Sequence, residues 1–182
     1  MNRPVRRAMI LPFLVLMVAG CATNYDYTIH KPIVVYQEPS QQALSKSLRE
    51  TLGKKYVWAE EGPKAFDCSG LTYYSFGRMN LEIPRVSRDQ AKAGVEVPLE
   101  ALQYGDLVFF DTGEDFTGTV THVGVYIGDE KFQHASSRNG RVVISSLDDS
   151  DYATRFLTAR RYLPDEANPV QTPTGWARNN GY

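Results

Sequence analysis

Apolar residues at 44, 48 and 52 recur at the spacing of one helical face, which predicts a helix over 43–52 closed by Gly53. A second helix is predicted from the small polar run Asp67-Cys68-Ser69, continuing through Leu71-Thr72-Tyr73-Tyr74-Ser75-Phe76 to Gly77. A third, shorter one is predicted over 87–93, where Ser87 and Gln90 stand at capping-box spacing. After Pro98 the period shortens. Leu107-Val108-Phe109-Phe110 is a continuous apolar run behind Gly105-Asp106, as in a buried strand, and residues 122–127 alternate. Further strands are predicted over 131–135, 141–145 and 156–162. Helices first and an antiparallel sheet second make an α+β domain, with no internal repeat.

The two ends of the chain lack this patterning. Arg3, Arg6 and Arg7 precede an apolar run over 9–19, interrupted by Pro12, which is the layout of an export signal and too short for a spanning helix of about 20 residues. The run ends in Val18-Ala19-Gly20-Cys21, which resembles a bacterial lipobox. That resemblance implies removal of 1–20, acylation of Cys21, and, with Ala22 rather than Asp next, sorting to the outer membrane facing the periplasm. Residues 21–41 are polar, with Pro32 and Pro39, and predict a lipidated N-terminus and tether reaching at most roughly 70 Å. Residues 164–182 are rich in proline and asparagine and predict a disordered tail, leaving 42–163 as one domain. Twenty basic and 21 acidic residues, a net charge of −1, are interspersed without a basic stripe and give no footprint for nucleic acid. The chain is read as a monomer.

Acylation of Cys21 leaves Cys68 as the one free thiol of an exported protein, which calls for a chemical reason. At a helix start, backbone N–H groups and the helix dipole stabilise a thiolate and bind a developing oxyanion. Ser69 and Gly70 leave the approach open, whereas a packing cysteine would sit among larger apolar neighbours. Three histidines are present: His30 in the tether, His122 and His134. Alternation in Thr121-His122-Val123-Gly124-Val125-Tyr126-Ile127 puts His122 on the face opposite Val123, Val125 and Ile127. A two-residue turn at Asp129-Glu130 sets His134 opposite Val125, on the wrong face; a three-residue loop, 128–130, sets it opposite Gly124, one diagonal step from His122. The three-residue loop is expected, with Gly124 leaving room between the rings. Cys68 as nucleophile, His122 as base and His134 as the group that orients the base then form a triad. An ion pair of Cys68 with His122 predicts a bell-shaped pH profile.

Four motifs carry a resemblance. Phe66-Asp67-Cys68-Ser69-Gly70-Leu71, Gly105-Asp106-Leu107-Val108-Phe109-Phe110, His122-Val123-Gly124-Val125-Tyr126-Ile127-Gly128 and His134-Ala135-Ser136 resemble, in order and spacing, the NlpC/P60 family of papain-like cysteine peptidases. With the lipobox, the likeness is to lipoprotein murein endopeptidases of Gram-negative envelopes. The resemblance implies a papain-like fold and hydrolysis of D-Ala–meso-diaminopimelate or D-Glu–meso-diaminopimelate bonds in peptidoglycan, without a cofactor or metal. It also implies Tyr56 at the oxyanion, Asp67 and Ser69 at a subsite that in some members binds the substrate's amine, and Arg85 and Ser87 at the cleft border. Where many members carry a glycine pair, this chain has Ala59-Glu60-Glu61-Gly62-Pro63-Lys64-Ala65, which is expected to reshape the cleft rim.

Three other readings use the same residues. A zinc site of Cys68, His122 and His134 lacks a second cysteine or closely paired histidines. A thiol acyltransferase of the lecithin-retinol type carries its histidine before its cysteine, the reverse of the order here. A non-catalytic wall-binding lipoprotein has no need of an exposed, oxidation-prone thiol.

Overall fold

The structure is a computed structural model that describes residues 38–164. The predicted signal peptide, Cys21, His30, the tether as far as residue 37 and the tail from 165 lie outside the described residues.

The first helix, α1 (Gln41–Thr51), opens where the Ser40 hydroxyl accepts the Ala43 N–H at 3.1 Å, two residues ahead of the predicted start. Its buried face, Ala43, Leu44, Ser47, Leu48 and Thr51, contains the first two of the apolar positions that predicted it, and Leu52 is exposed. Two strands follow that periodicity did not reveal, β1 (Lys55–Tyr56) and β2 (Ala65–Phe66), each too short to show alternation. Then come α2 (Cys68–Gly77) and α3 (Ser87–Gln90).

Helix α3 ends three residues short of expectation, and its predicted capping box is not formed. Val86, not Ser87, is the capping residue and makes no side-chain cap. The Gln90 side chain is committed to α2 instead: its amide donates to the Ser69 carbonyl at 3.2 Å and the Pro84 carbonyl at 2.7 Å, and its oxygen accepts the Thr72 hydroxyl at 2.9 Å.

The remaining strands are β3 (Val95–Val97), β4 (Leu107–Phe110), β5 (His122–Gly128), β6 (Lys131–Ser136), β7 (Arg141–Ser146) and β8 (Phe156–Arg161), with α4 (Ser150–Ala153) before the last. They form one eight-stranded sheet in the order β2-β1-β7-β6-β5-β4-β8-β3. The α+β class holds, but the sheet is mixed rather than antiparallel, because β1 and β2 pair in parallel. Three of the strands also precede Pro98.

Strand β4 is buried on both faces, which explains its unbroken apolar run. Leu107 and Phe109 join Leu44, Leu48, Phe76, Val123 and Val125 in the core under α1 and α2. Val108 and Phe110 join Val97, Tyr126, Phe132 and Ala159 in a second core on the other face. The histidines inherit their placement from this two-sided sheet.

The β5–β6 hairpin corrects the loop expected from sequence while preserving its consequence. The turn is the two-residue Asp129-Glu130, both at positive φ (51° and 55°), flanked by Gly128 paired with Lys131. A bulge between Tyr126 and Gly128 leaves Ile127 unpaired and shifts the register by one, so that Tyr126 faces Phe132 and Val125 faces Gln133. The turn alone would have put His134 on the wrong face. The bulge returns it to the side of Gly124 and His122. A Cβ on Gly124 would lie 2.5 Å from the Phe132 ring and 3.2 Å from the His134 Cβ, so the glycine makes room for Phe132 and the base of His134 rather than between the two imidazole rings as expected.

Candidate active site

Cys68 is the first residue of α2, and Asp67 caps the helix by accepting the Gly70 N–H at 2.6 Å. The Glu60 carbonyl crosses directly over this helix start, accepting the Asp67 N–H at 2.7 Å and lying where a Cβ on Gly70 would be. Gly70 is therefore required by close approach. Cys68 is half-buried and packs beside the core under the helices.

Its electrostatics differ from the expectation of a depressed thiol. Burial pushes the Cys68 thiol up and the Asp67 charge adds to it; the N–H groups of Ser69, Val123 and Cys68 itself pull the other way without prevailing. The helix start alone does not make a thiolate here. It needs a base.

Two histidines, on β5 and β6, lie against one another. His122 Nε2 and His134 Nδ1 lie 2.8 Å apart, with the rings nearly perpendicular at 87°. The opposite nitrogen of His134, Nε2, is 3.0 Å from the Ser145 hydroxyl. Ser145 in turn bonds the Tyr152 phenol, whose ring packs edge-on to His134 at 5.4 Å between centroids. His134 is completely buried, with Phe132 against its ring at 4.8 Å. His122 keeps a partly exposed edge. Burial pushes His122 down to about 4; burial, and then the neighbouring His122, push His134 down to about 3. Both rings are neutral at pH 7.

Either ring can hold the shared proton, and one of the two arrangements suits a general base. If His122 is to become an imidazolium it must donate from Nε2 to His134 Nδ1, so His134 carries its own proton on Nε2 and donates to Ser145. The free His122 nitrogen, Nδ1, is left for the reaction. A nitrogen pair at 2.8 Å is also closer than two ligands of one tetrahedral zinc, about 3.3 Å apart. The geometry is that of a hydrogen bond, not of a shared metal.

The other predicted residues divide into two groups. Asp67, Ser69 and Arg85 are brought together: Arg85 Nη2 donates to Asp67 Oδ2 at 2.8 Å, and Nη1 donates to Asp67 Oδ1 at 3.1 Å and to the Ser69 hydroxyl at 3.0 Å. Glu61, from the segment that replaces the glycine pair, accepts the Arg85 Nε at 3.0 Å. The altered rim thus clamps Arg85 with a second carboxylate. Ser87 is buried at the start of α3. Tyr56 lies near the thiol: burial raises its phenol, and the Cys68 and Asp67 charges add to this. It also packs against Phe66, Leu71, Ala135 and Val142, so it is a core aromatic as well as a neighbour of the nucleophile.

A cavity of about 340 Å³ opens beside the histidine pair, lined by His122, His134, Tyr152, Arg138, Asp151 and Arg155, among others. Asp111 holds the loop at its edge, accepting N–H groups from Gly113, Thr117, Gly118 and Thr119.

The family model described as the NlpC/P60 family matches residues 53–161, from the end of α1 to β8. The chain belongs to the NlpC/P60 family. A probable endopeptidase of Haemophilus influenzae is 38% identical over 141 residues, 77% of this chain and 83% of the relative. The murein DD-endopeptidase MepH of Escherichia coli is 35% identical over 150 residues, 80% of this chain and 54% of that protein. A solved NlpC/P60 structure from Bacillus cereus superposes with a TM-score of 0.66 at 38% identity, covering 70% of this chain and 41% of the other. The chain thus spans about half or less of two of these relatives. The papain-like α+β fold implied by the motifs is the fold observed.

Within this NlpC/P60 site, sequence reasoning missed Ser145, Tyr152 and Arg155, and placed Glu61 on the altered rim without pairing it to Arg85. Ser145 had a usable signal, because the β6–β7 register sets His134 opposite Val143 and so places residue 145 on the same face one diagonal step away. Tyr152 and Arg155 come from a short helix and the turn after it, where no periodicity marks them.

Proposed function

We propose that the chain is a cysteine endopeptidase that hydrolyses amide bonds in peptidoglycan stem peptides or their crosslinks through Cys68, His122 and His134. The observation that carries this is the 2.8 Å pairing of His122 Nε2 with His134 Nδ1, which supports a base whose other nitrogen, Nδ1, is left for the thiol when His122 holds its proton on Nε2. In the substrate-free state the thiol and both imidazoles are neutral. As Sγ attacks the scissile carbonyl carbon, its proton passes to His122 Nδ1 and negative charge gathers on the carbonyl oxygen. Backbone N–H groups at the start of α2 and the Tyr56 hydroxyl meet that charge. The tetrahedral adduct collapses, the C–N bond breaks, and His122 Nδ1–H protonates the leaving amine. Water, deprotonated by the same nitrogen, then cleaves the thioester and restores the thiol.

Asp67, Ser69 and Arg85 are proposed to border the acyl side of this reaction, with Ser87 at the cleft border. Arg85 already occupies the Asp67 carboxylate on both oxygens, which supports a rim-shaping role for Asp67 over direct capture of a substrate amine. Cys21 is proposed to carry the lipid that tethers the enzyme, as a monomer, to the outer membrane facing the periplasmic wall. Labelled palmitate should enter the wild type and be absent from Cys21→Ala.

Purified sacculi incubated with wild type and with Cys68→Ala test the function. Soluble muropeptides released by the wild type alone support it; equal release, or none from either, overturns it. The masses of the products name the bond.

A further inference from the structure

Resting on the hydrolase reading above, we infer that Arg155 and the cavity beside the histidine pair form the leaving-group subsite, and that it selects a residue bearing a free carboxylate. The cavity is lined by both His122 and His134, whereas Cys68 is not among its walls. His122 delivers the proton to the departing nitrogen, so whatever is bonded to that nitrogen extends past His122, away from the sulfur and into this space. At about 340 Å³ the cavity holds a single amino-acid side chain comfortably.

Its charges then decide what fits. Arg138 and Asp151 are ion-paired with one another, and Glu114 stands exposed. Arg155 has no carboxylate partner among the described residues. Its Nη1 donates to the Asp111 carbonyl at 3.0 Å and the Gly113 carbonyl at 2.7 Å, neutral acceptors that orient the guanidinium without cancelling its charge. A half-buried, oriented guanidinium with donors to spare is a carboxylate receptor. In both candidate bonds the leaving amine belongs to meso-diaminopimelate, which carries a free carboxylate that lysine lacks. The free carboxylate lies on the carbon bearing the scissile nitrogen in the crosslink and at the far end of the side chain in the stem, so the subsite favours diaminopimelate over lysine or the amidated residue for the bond whose carboxylate reaches Arg155.

The test uses the full chain and three matched substrates, with meso-diaminopimelate, its amide or L-lysine at the third stem position, each as the tetrapeptide and as the crosslinked dimer. Wild type should show kcat/KM about 10–100-fold higher for the free carboxylate, as one charge-assisted bond provides. Arg155→Gln should lose that factor on the diaminopimelate substrate, so that its ratio of diaminopimelate to lysine kcat/KM falls to about one; Arg155→Lys should keep an intermediate ratio. Equal rates for wild type on all three overturn the subsite alone. So does an equal loss on all three in Arg155→Gln, which would make Arg155 only a brace for the 111–113 loop. Cleavage of none by the wild type overturns the hydrolase reading and this inference with it.

Discussion

Removing His134 should roughly halve the acid sensitivity of the fold between pH 7.5 and 5.0. In the native protein burial holds His122 down at about 4, and burial with the adjoining ring holds His134 at about 3; in the unfolded chain each titrates near 6.5. Because the native values are depressed, the unfolded chain binds more protons below pH 6.5, and stability falls as pH falls from there until the native rings protonate near 4 and 3. Each ring contributes at most about 1.4 kcal/mol per pH unit, so the 1.5 units from 6.5 to 5.0 cost about 2 kcal/mol per ring and about 4 kcal/mol for the pair. The assay is urea unfolding at pH 7.5 and 5.0, followed by far-ultraviolet circular dichroism, because Trp58 is 81% exposed and reports poorly on the core. Wild type should lose about 4 kcal/mol and His134→Gln about 2 kcal/mol over this window. A wild-type stability that is flat within about 1 kcal/mol, or a variant that keeps the full dependence, refutes the neutral buried pair.

Gly124→Ala places a methyl group against the Phe132 ring and the His134 Cβ, and should cost about 1–3 kcal/mol by denaturant melt while lowering kcat more than it changes KM. Asp67→Ala removes the cap of α2 and a partner of Arg85, and should destabilise by about 1–2 kcal/mol, with Asp67→Asn keeping much of the cap and so losing less. Ser145→Ala leaves His134 Nε2 without its partner and should reduce kcat about 10-fold with KM unchanged, whereas a purely structural serine would alter stability and not kcat.

The strongly periodic parts of the fold were legible in the sequence. Helix α1 follows from apolar spacing and β5 from alternation, α2 from the small polar run that caps it, and β4 from an unbroken apolar run buried on both faces. Strands β1 and β2 escaped because two residues have no period, and with them went the parallel pairing. The histidine hairpin shows how a right answer can have the wrong local cause. A three-residue loop was expected because it sets His134 on the face of His122; the chain uses the tighter turn, with Asp129 and Glu130 both at positive φ, and places Ile127 in a bulge. At the site, residues near in sequence were found together, as with Asp67 and Ser69 around Cys68. Glu61 with Arg85 was not, because a charge pair 24 residues apart leaves no local signature. The thiol was misjudged for a related reason. A helix start can be seen in the sequence, but the burial that outweighs it cannot.

Steady-state hydrolysis of a defined crosslinked muropeptide by wild type, Cys68→Ala, His122→Ala and His134→Gln tests the central claim most directly. Loss of about 1,000-fold or more in kcat for the first two variants, with a smaller loss for His134→Gln, is the pattern that a nucleophile, its base and the group that orients the base must give. Retention of wild-type turnover by Cys68→Ala, in protein whose circular dichroism matches the wild type, would contradict it.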